Sequence, residues 1–149
     1  MSELSDLYQE VILDHNKSPR NYRKCETCNH DAEGFNPLCG DHIFVYIDLE
    51  GETIKDISFQ GSGCAISKSS ASLMTSILKG KTKQEAEAMF NKFHEVVTSR
   101  IGSEQDLSSL GKLAVFSGVR DYPSRVKCAS LAWHTMMNAL REEKSATTE

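Results

Sequence analysis

Apolar residues recur along this chain with two different periods. Leu4, Leu7, Tyr8, Val11 and Ile12 return at helical spacing until Ser18-Pro19 interrupts them, which predicts a first amphipathic helix. Residues 20–35 are polar and turn-like, a variable loop that carries Cys25-Glu-Thr-Cys28. After Asp41 the pattern becomes strict alternation, with Ile43, Val45, Ile47 and Leu49 on one face and His42, Phe44, Tyr46 and Asp48 on the other. A Glu50-Gly51 turn leads into a second strand over 54–59, so a hairpin forms whose single apolar face must be covered. The helical period then returns in Ile66, Leu73, Met74, Ile77 and Leu78, and Gly80 ends that helix. Thr82 and Glu85 form a capping box ahead of Ala86, Met89, Phe90, Phe93 and Val97. Residues 99–109 read as loop and 110–116 as a short helical piece. Ser124 then caps a last helix traced by Val126, Ala129, Trp133, Met136, Met137 and Leu140, and 143–149 is a frayed tail.

Composition narrows the class. At 149 residues the chain makes one domain, 1–149, large enough for a real core. With 39 % apolar and 26 % charged residues, and no run near the roughly 20 apolar residues of a membrane span, it reads as a soluble protein with no membrane partner. The acidic start Met1-Ser-Glu-Leu-Ser-Asp lacks the base and apolar run of an export signal, so a cytoplasmic location is expected. Five cysteines in a reducing compartment point to ligands or reactive thiols rather than a disulfide framework. A net charge of −4 gives no electrostatic reason to expect nucleic acid.

The candidate chemistry starts at Asn36-Pro-Leu-Cys39-Gly-Asp41. Gly40 lets the backbone turn so that a thiol and a carboxylate can face one ion, although such a turn also exists without any ligand. Cys64 follows Gly61-Ser-Gly63 at a predicted helix N-terminus, where free N–H groups and the dipole favour a thiolate; the plainer reading is a small buried cysteine. Cys128 lies in the first turn of the last helix just after Arg125 and Lys127, whose charges should also favour the thiolate. Cys39, Asp41, Cys64 and Cys128 make a four-ligand set that zinc accepts tetrahedrally and that iron or an iron–sulfur cluster also accepts. The harder Asp ligand makes the ion easier to release, which suits transfer. Cys25 and Cys28 lack the second pair of a zinc site and the strand-to-helix setting of a redox motif, leaving incidental thiols or an auxiliary metal or redox role, for instance as substitute ligands or sulfur relays. His15, His94 and His134 read as surface or packing residues, and His42 points away from Asp41 along its strand. No motif pairs a histidine with a cysteine, so a Cys-His hydrolase is not expected.

Three segments in order, Asn36-Pro-Leu-Cys39-Gly-Asp41, Gly61-Ser-Gly-Cys64-Ala-Ile-Ser and Pro123-Ser-Arg-Val-Lys-Cys128-Ala-Ser-Leu-Ala-Trp133, resemble the iron–sulfur assembly scaffold family of IscU and the NifU N-terminal domain. The resemblance implies an α+β fold, a small antiparallel β-sheet of about three strands packed against several α-helices. It also implies that Cys39, Asp41, Cys64 and Cys128 gather at one end, supported by Gly40, Gly63, Arg125 and Lys127. Lys127 stands where typical IscU has histidine, and a polar stretch of about twenty residues before the last helix is longer than in IscU. Tyr122-Pro-Ser-Arg-Val-Lys127 replaces the Leu-Pro-Pro-Val-Lys segment that engages an Hsp70 chaperone, so that chaperone is not an expected partner. These departures resemble the SufU branch. The branch implies a zinc-bound carrier that takes persulfide sulfur from a SufS-type cysteine desulfurase, with Cys39 as acceptor, and hands it to a SufBCD-type complex. That is a sulfur carrier more than a conventional enzyme. A scaffold building a [2Fe-2S] cluster and a structural zinc module remain alternatives, separated by metal content and desulfurase turnover.

Overall fold

The computed structural model describes residues 3–142 and 145–147, with side chains described for 8–142. In chain order the elements are α1 (Glu3–Lys17), β1 (His30–Asn36), β2 (Asp41–Glu50), β3 (Thr53–Ser62), α2 (Ala65–Leu78), α3 (Lys83–Val97), a 3₁₀ helix (Gly111–Asp121), α4 (Pro123–Leu140) and β4 (Ser145–Thr147). The sheet order is β3-β2-β1-β4. Its first three strands are antiparallel, as expected, with β1 and β2 paired from His30↔Ile47 to Asn36↔Asp41 and β2 and β3 from His42↔Ser62 to Glu50↔Thr53.

The alternation in β2 and β3 works as read. Val45 faces Phe59 and Ile47 faces Ile57 across the pair, and all four are essentially fully buried on the helix-covered face. Trp133 of α4 sits in the middle of that core, stacked on Phe93 of α3 at 4.9 Å. Its indole N–H donates to Ser70 Oγ at 3.2 Å, and that hydroxyl donates to Ala129 O at 2.6 Å. Small buried serines on α2, Ser67, Ser69, Ser70 and Ser72, let it approach its neighbours closely while Ser70 ties it to α4.

Several expectations need correction. The loop expected over 20–35 ends in strand β1, whose inward residues are Ala32, Gly34 and Asn36. They are small because α4 lies directly on them; a side chain on Gly34 would overlap Thr135 and Leu131. Within the expected frayed tail, Ser145–Thr147 pairs in parallel with Glu33 to Phe35; the other residues of 143–149 lie outside the described ones. The helical piece expected over 110–116 continues as 3₁₀ turns to Asp121, and α4 starts at Pro123 rather than after a Ser124 cap, because proline is preorganised for a first helical position. His15 is buried, not superficial, with Nδ1 2.7 Å from Ser72 Oγ. No helix among the described residues is long and apolar enough to cross a membrane.

Candidate metal centre

The β1–β2 turn, the start of β2, and the starts of α2 and α4 meet at the end of the sheet where Asn36 pairs with Asp41. The β1–β2 turn carries Cys39, with its N–H bonded to Asn36 O at 3.3 Å and Gly40 at φ 71°, a left-handed conformation that favours glycine. Asp41 opens β2 and is 2 % exposed. Cys64 is the N-cap of α2, its sulfur accepting from Ser67 N at 3.4 Å. Cys128 lies early in α4, buried against β1.

Asp41 knits these together. Its Oδ1 accepts from Cys64 N at 2.8 Å and its Oδ2 from Asn36 Nδ2 at 3.1 Å, while Cys64 Sγ stands 4.0 Å from Oδ2. Gly63 is required by this approach, since a Cβ there would overlap the Asp41 carboxylate. Cys128 Sγ is 3.2 Å from Cys39 Sγ and 3.4 Å from Asn36 Nδ2. One donor atom from each of Cys39, Asp41 and Cys128 falls within 4.8 Å of the others. Zinc with sulfur ligands at about 2.3 Å and a carboxylate at about 2.0–2.2 Å holds its donors roughly 3.5–3.8 Å apart, so adjustments of about 1 Å suit these residues to it. Cys64 joins by way of Asp41 rather than as a member of that tight trio. The three free thiols are graded in access: Cys39 exposed, Cys64 half-buried, Cys128 buried.

The electrostatics differ from the sequence expectation at Cys128. Burial, first, then the neighbouring sulfurs of Cys39 and Cys64 and the Asp41 charge push its thiol well above the ordinary range. Arg125 does not offset this; its guanidinium lies over the Tyr122 ring at 4.5 Å. A cation among these donors would supply the opposite charge that the buried thiol otherwise lacks.

Asn36 is the site residue that the sequence reading passed over. It is fully buried, donates to both Asp41 and Cys128, and leaves its Oδ1 without a hydrogen-bond partner. An Asn-Pro pair reads as turn chemistry, and only the register of β1 shows that its side chain points inward. Cys25 and Cys28, the candidate auxiliary ligands, are joined to each other in a disulfide. They precede the opposite end of β1, whose six residue steps from His30 to Asn36 span roughly 20 Å. Neither a substitute ligand nor a relay to Cys39 fits that separation. His42 pairs with Glu33 and stacks on Phe35, on the sheet face away from the core.

The model of the NifU-like N-terminal domain matches residues 7–129, most of the chain. This chain belongs to that family. Its NifU-like relatives include the iron–sulfur cluster assembly scaffold protein IscU of Streptococcus pyogenes serotype M1, 35 % identical over 98 % of this chain and 90 % of the relative. The zinc-dependent sulfurtransferase SufU of Bacillus subtilis strain 168 is 37 % identical over 96 % of this chain and 95 % of that protein. Among solved structures, FiSufU of Fervidobacterium islandicum AW-1, a candidate assembly scaffold for the SUF system, superposes with a TM-score of 0.81 at 38 % identity, covering 94 % of this chain and 99 % of that one. The likeness to SufU at nearly full length agrees with the resemblance to that branch.

Proposed function

We propose that this NifU-like domain is the sulfur-accepting iron–sulfur assembly protein of a SUF-type system, taking persulfide sulfur from a SufS-type cysteine desulfurase and passing it to a SufBCD-type complex. The observation that supports it best is the graded access of the three thiols: a turn thiol, Cys39, exposed at the edge of a donor set whose other members are held by β2, α2 and α4. Cys39, Asp41, Cys64 and Cys128 are the residues that would hold zinc, as the name of the B. subtilis relative suggests. Zinc, when bound, keeps the thiols deprotonated and shielded from oxidation.

Cys39 is the acceptor because it is the most exposed of the three free cysteines and its turn, with Gly40 left-handed, can present it to a partner while the other donors stay in place. Its thiolate attacks the terminal sulfur of the donor persulfide. The donor's S–S bond breaks, the donor cysteine leaves as thiolate, and the persulfide now stands on Cys39. Asp41 holds Cys64 and Asn36 in register, and as the weakest of the donors it sets how readily the cation is given up.

The test is metal analysis of freshly purified protein together with desulfurase turnover with and without it. About one zinc per chain and a rise in turnover that Cys39→Ala removes are expected. Turnover unaffected by Cys39→Ala but lost with Cys128→Ala would reject Cys39 as acceptor. The name of the S. pyogenes relative favours a second reading, a scaffold whose cargo is a [2Fe-2S] cluster. A stable coloured cluster with no effect on turnover would establish that reading instead.

A further inference from the structure

The geometry points to a second thiol site in this chain: Cys25 and Cys28 as a reversible dithiol–disulfide pair that exchanges with dithiol reductants of the thioredoxin class. The two sulfurs are paired with each other, whereas Cys39, Cys64 and Cys128 are free. Both are half-buried in a turn whose neighbours Lys24, Glu26 and Thr27 are exposed, so an incoming thiolate can reach a sulfur.

The segment that carries them is a strap from the outer edge of β3 across to β1, and it is anchored without help from either cysteine. Phe59 N donates to Asn21 O and Arg23 N to Phe59 O, both at 3.0 Å, and Arg23 pairs with Asp56. At the other side Asn29 Nδ2 donates to Leu49 O at 2.8 Å and its Oδ1 accepts from Leu49 N at 2.9 Å. Opening the disulfide therefore leaves both ends of the strap in place. A bond that closes so short a ring inside an already anchored loop constrains the unfolded chain less than a long-range disulfide does, which argues against a staple as its purpose. No helix starts at either cysteine; the next element is β1, at His30. The pair thus lacks the helix N-terminus that sustains the attacking thiolate of a dedicated oxidoreductase, and it serves as the exchanged partner rather than the catalyst.

In the exchange, a reductant thiolate attacks one sulfur of the pair, the Cys25–Cys28 bond breaks, and the other cysteine leaves as a thiolate that takes up a proton. The reductant's second thiol resolves the mixed disulfide. This chain gains two electrons and two protons as a dithiol, and the reductant ends as a disulfide; glutathione disulfide, reduced to two thiols, closes the pair again.

The test uses the full chain, oxidised with glutathione disulfide and then given NADPH, thioredoxin reductase and thioredoxin. The parent should consume about one NADPH per chain more than the double variant Cys25→Ser, Cys28→Ser, whose consumption reports the other thiols. Alkylation and peptide mass spectrometry should show Cys25 and Cys28 passing together from disulfide to two labelled thiols. Labelled thiols at both positions after the oxidation, a disulfide that survives the reductant, or equal NADPH consumption in parent and double variant would each overturn the assignment. The peptide readout follows Cys25 and Cys28 alone, so the metal-centre reading can fail without altering it.

Discussion

At one end of the sheet, sulfur atoms from residues 39, 64 and 128 converge because a β-turn, a helix cap and a helix start are brought together there; at the other end, Cys25 and Cys28 are neighbours in sequence and pair within one turn. The first cluster has no existence outside the fold, and its members have different burial and different backbone constraints. The second is nearly independent of the fold. Convergence of that kind allows division of labour, with an exposed thiol to react and buried groups to hold; a local pair offers only its own redox state. The sharpest break of the comparison is zinc affinity measured by chelator competition. Cys39→Ser, Cys64→Ser and Cys128→Ser should each lower it on the order of 100-fold or more, since loss of a ligand should exceed the 10–100-fold typical of losing an outer partner. Cys25→Ser with Cys28→Ser should leave it unchanged. An equal loss from the double variant would join the two ends into one site.

The same division explains how much was legible in the chain. The capping box at Thr82 and Glu85 is present with both reciprocal bonds, at 3.1 and 3.0 Å, because it depends on four consecutive residues alone. Alternation revealed β2 because its inward residues are large and apolar. It concealed β1, where the inward set is Ala32, Gly34 and Asn36 and the size limit is imposed by α4, a hundred residues downstream in the chain. At the site, the four candidate ligands stood out through their settings, but the raised pKa of Cys128 did not. Its flanking cations are visible in sequence, whereas its burial and the nearby sulfurs come from elements that meet only after folding.

Gly63→Ala tests whether the converging end is as tightly built as its distances imply. The added methyl would overlap the Asp41 carboxylate, which must then give up its bond to Cys64 N. Zinc affinity should fall toward the upper part of the 10–100-fold range seen for disturbed ligand support, about 100-fold. A variant that binds zinc as the parent does would show that Asp41 has slack, and its placement would not be a constraint.

Two asparagines offer a matched pair for a milder contrast. Asn36→Ala removes a buried donor to Asp41 and Cys128, yet also removes an Oδ1 that has no partner, so the net loss of stability should be only about 1 kcal/mol. Its clearer effect should be on zinc, about 10-fold weaker. Asn29→Ala cuts the two bonds to Leu49 and loosens the strap; thiol exchange at Cys25 and Cys28 should quicken while zinc affinity stays put. Urea unfolding, chelator competition and alkylation rates read the three quantities separately. Crossed effects, zinc lost with Asn29→Ala or exchange quickened by Asn36→Ala, would mean that the two ends communicate.

The smallest effect concerns how the strap begins. His15 Nδ1 and Arg20 N both meet Ser72 Oγ, at 2.7 and 2.8 Å. Since Arg20 N can only donate, Ser72 can give its own proton to His15 Nδ1, which suits a neutral ring. Burial foremost, then the Arg20 and Lys112 charges, hold the His15 pKa below the usual histidine value, with Asp14 opposing in part. In the unfolded chain His15 protonates near the usual value of about 6.5. As pH falls from there, the unfolded state binds a proton that the folded state refuses, so stability declines until the folded ring protonates as well; above that window the contribution is complete. His134, also lowered by burial, adds to the same decline, while the lowered carboxylates Asp14, Asp56, Glu85 and Asp106 act at more acid pH. His15→Gln, which keeps an acceptor for Ser72, should therefore flatten part of the fall in Tm between pH 7 and 5.5 and leave the His134 part. Equal slopes in parent and variant would show that protonating His15 does not oppose the folded anchor.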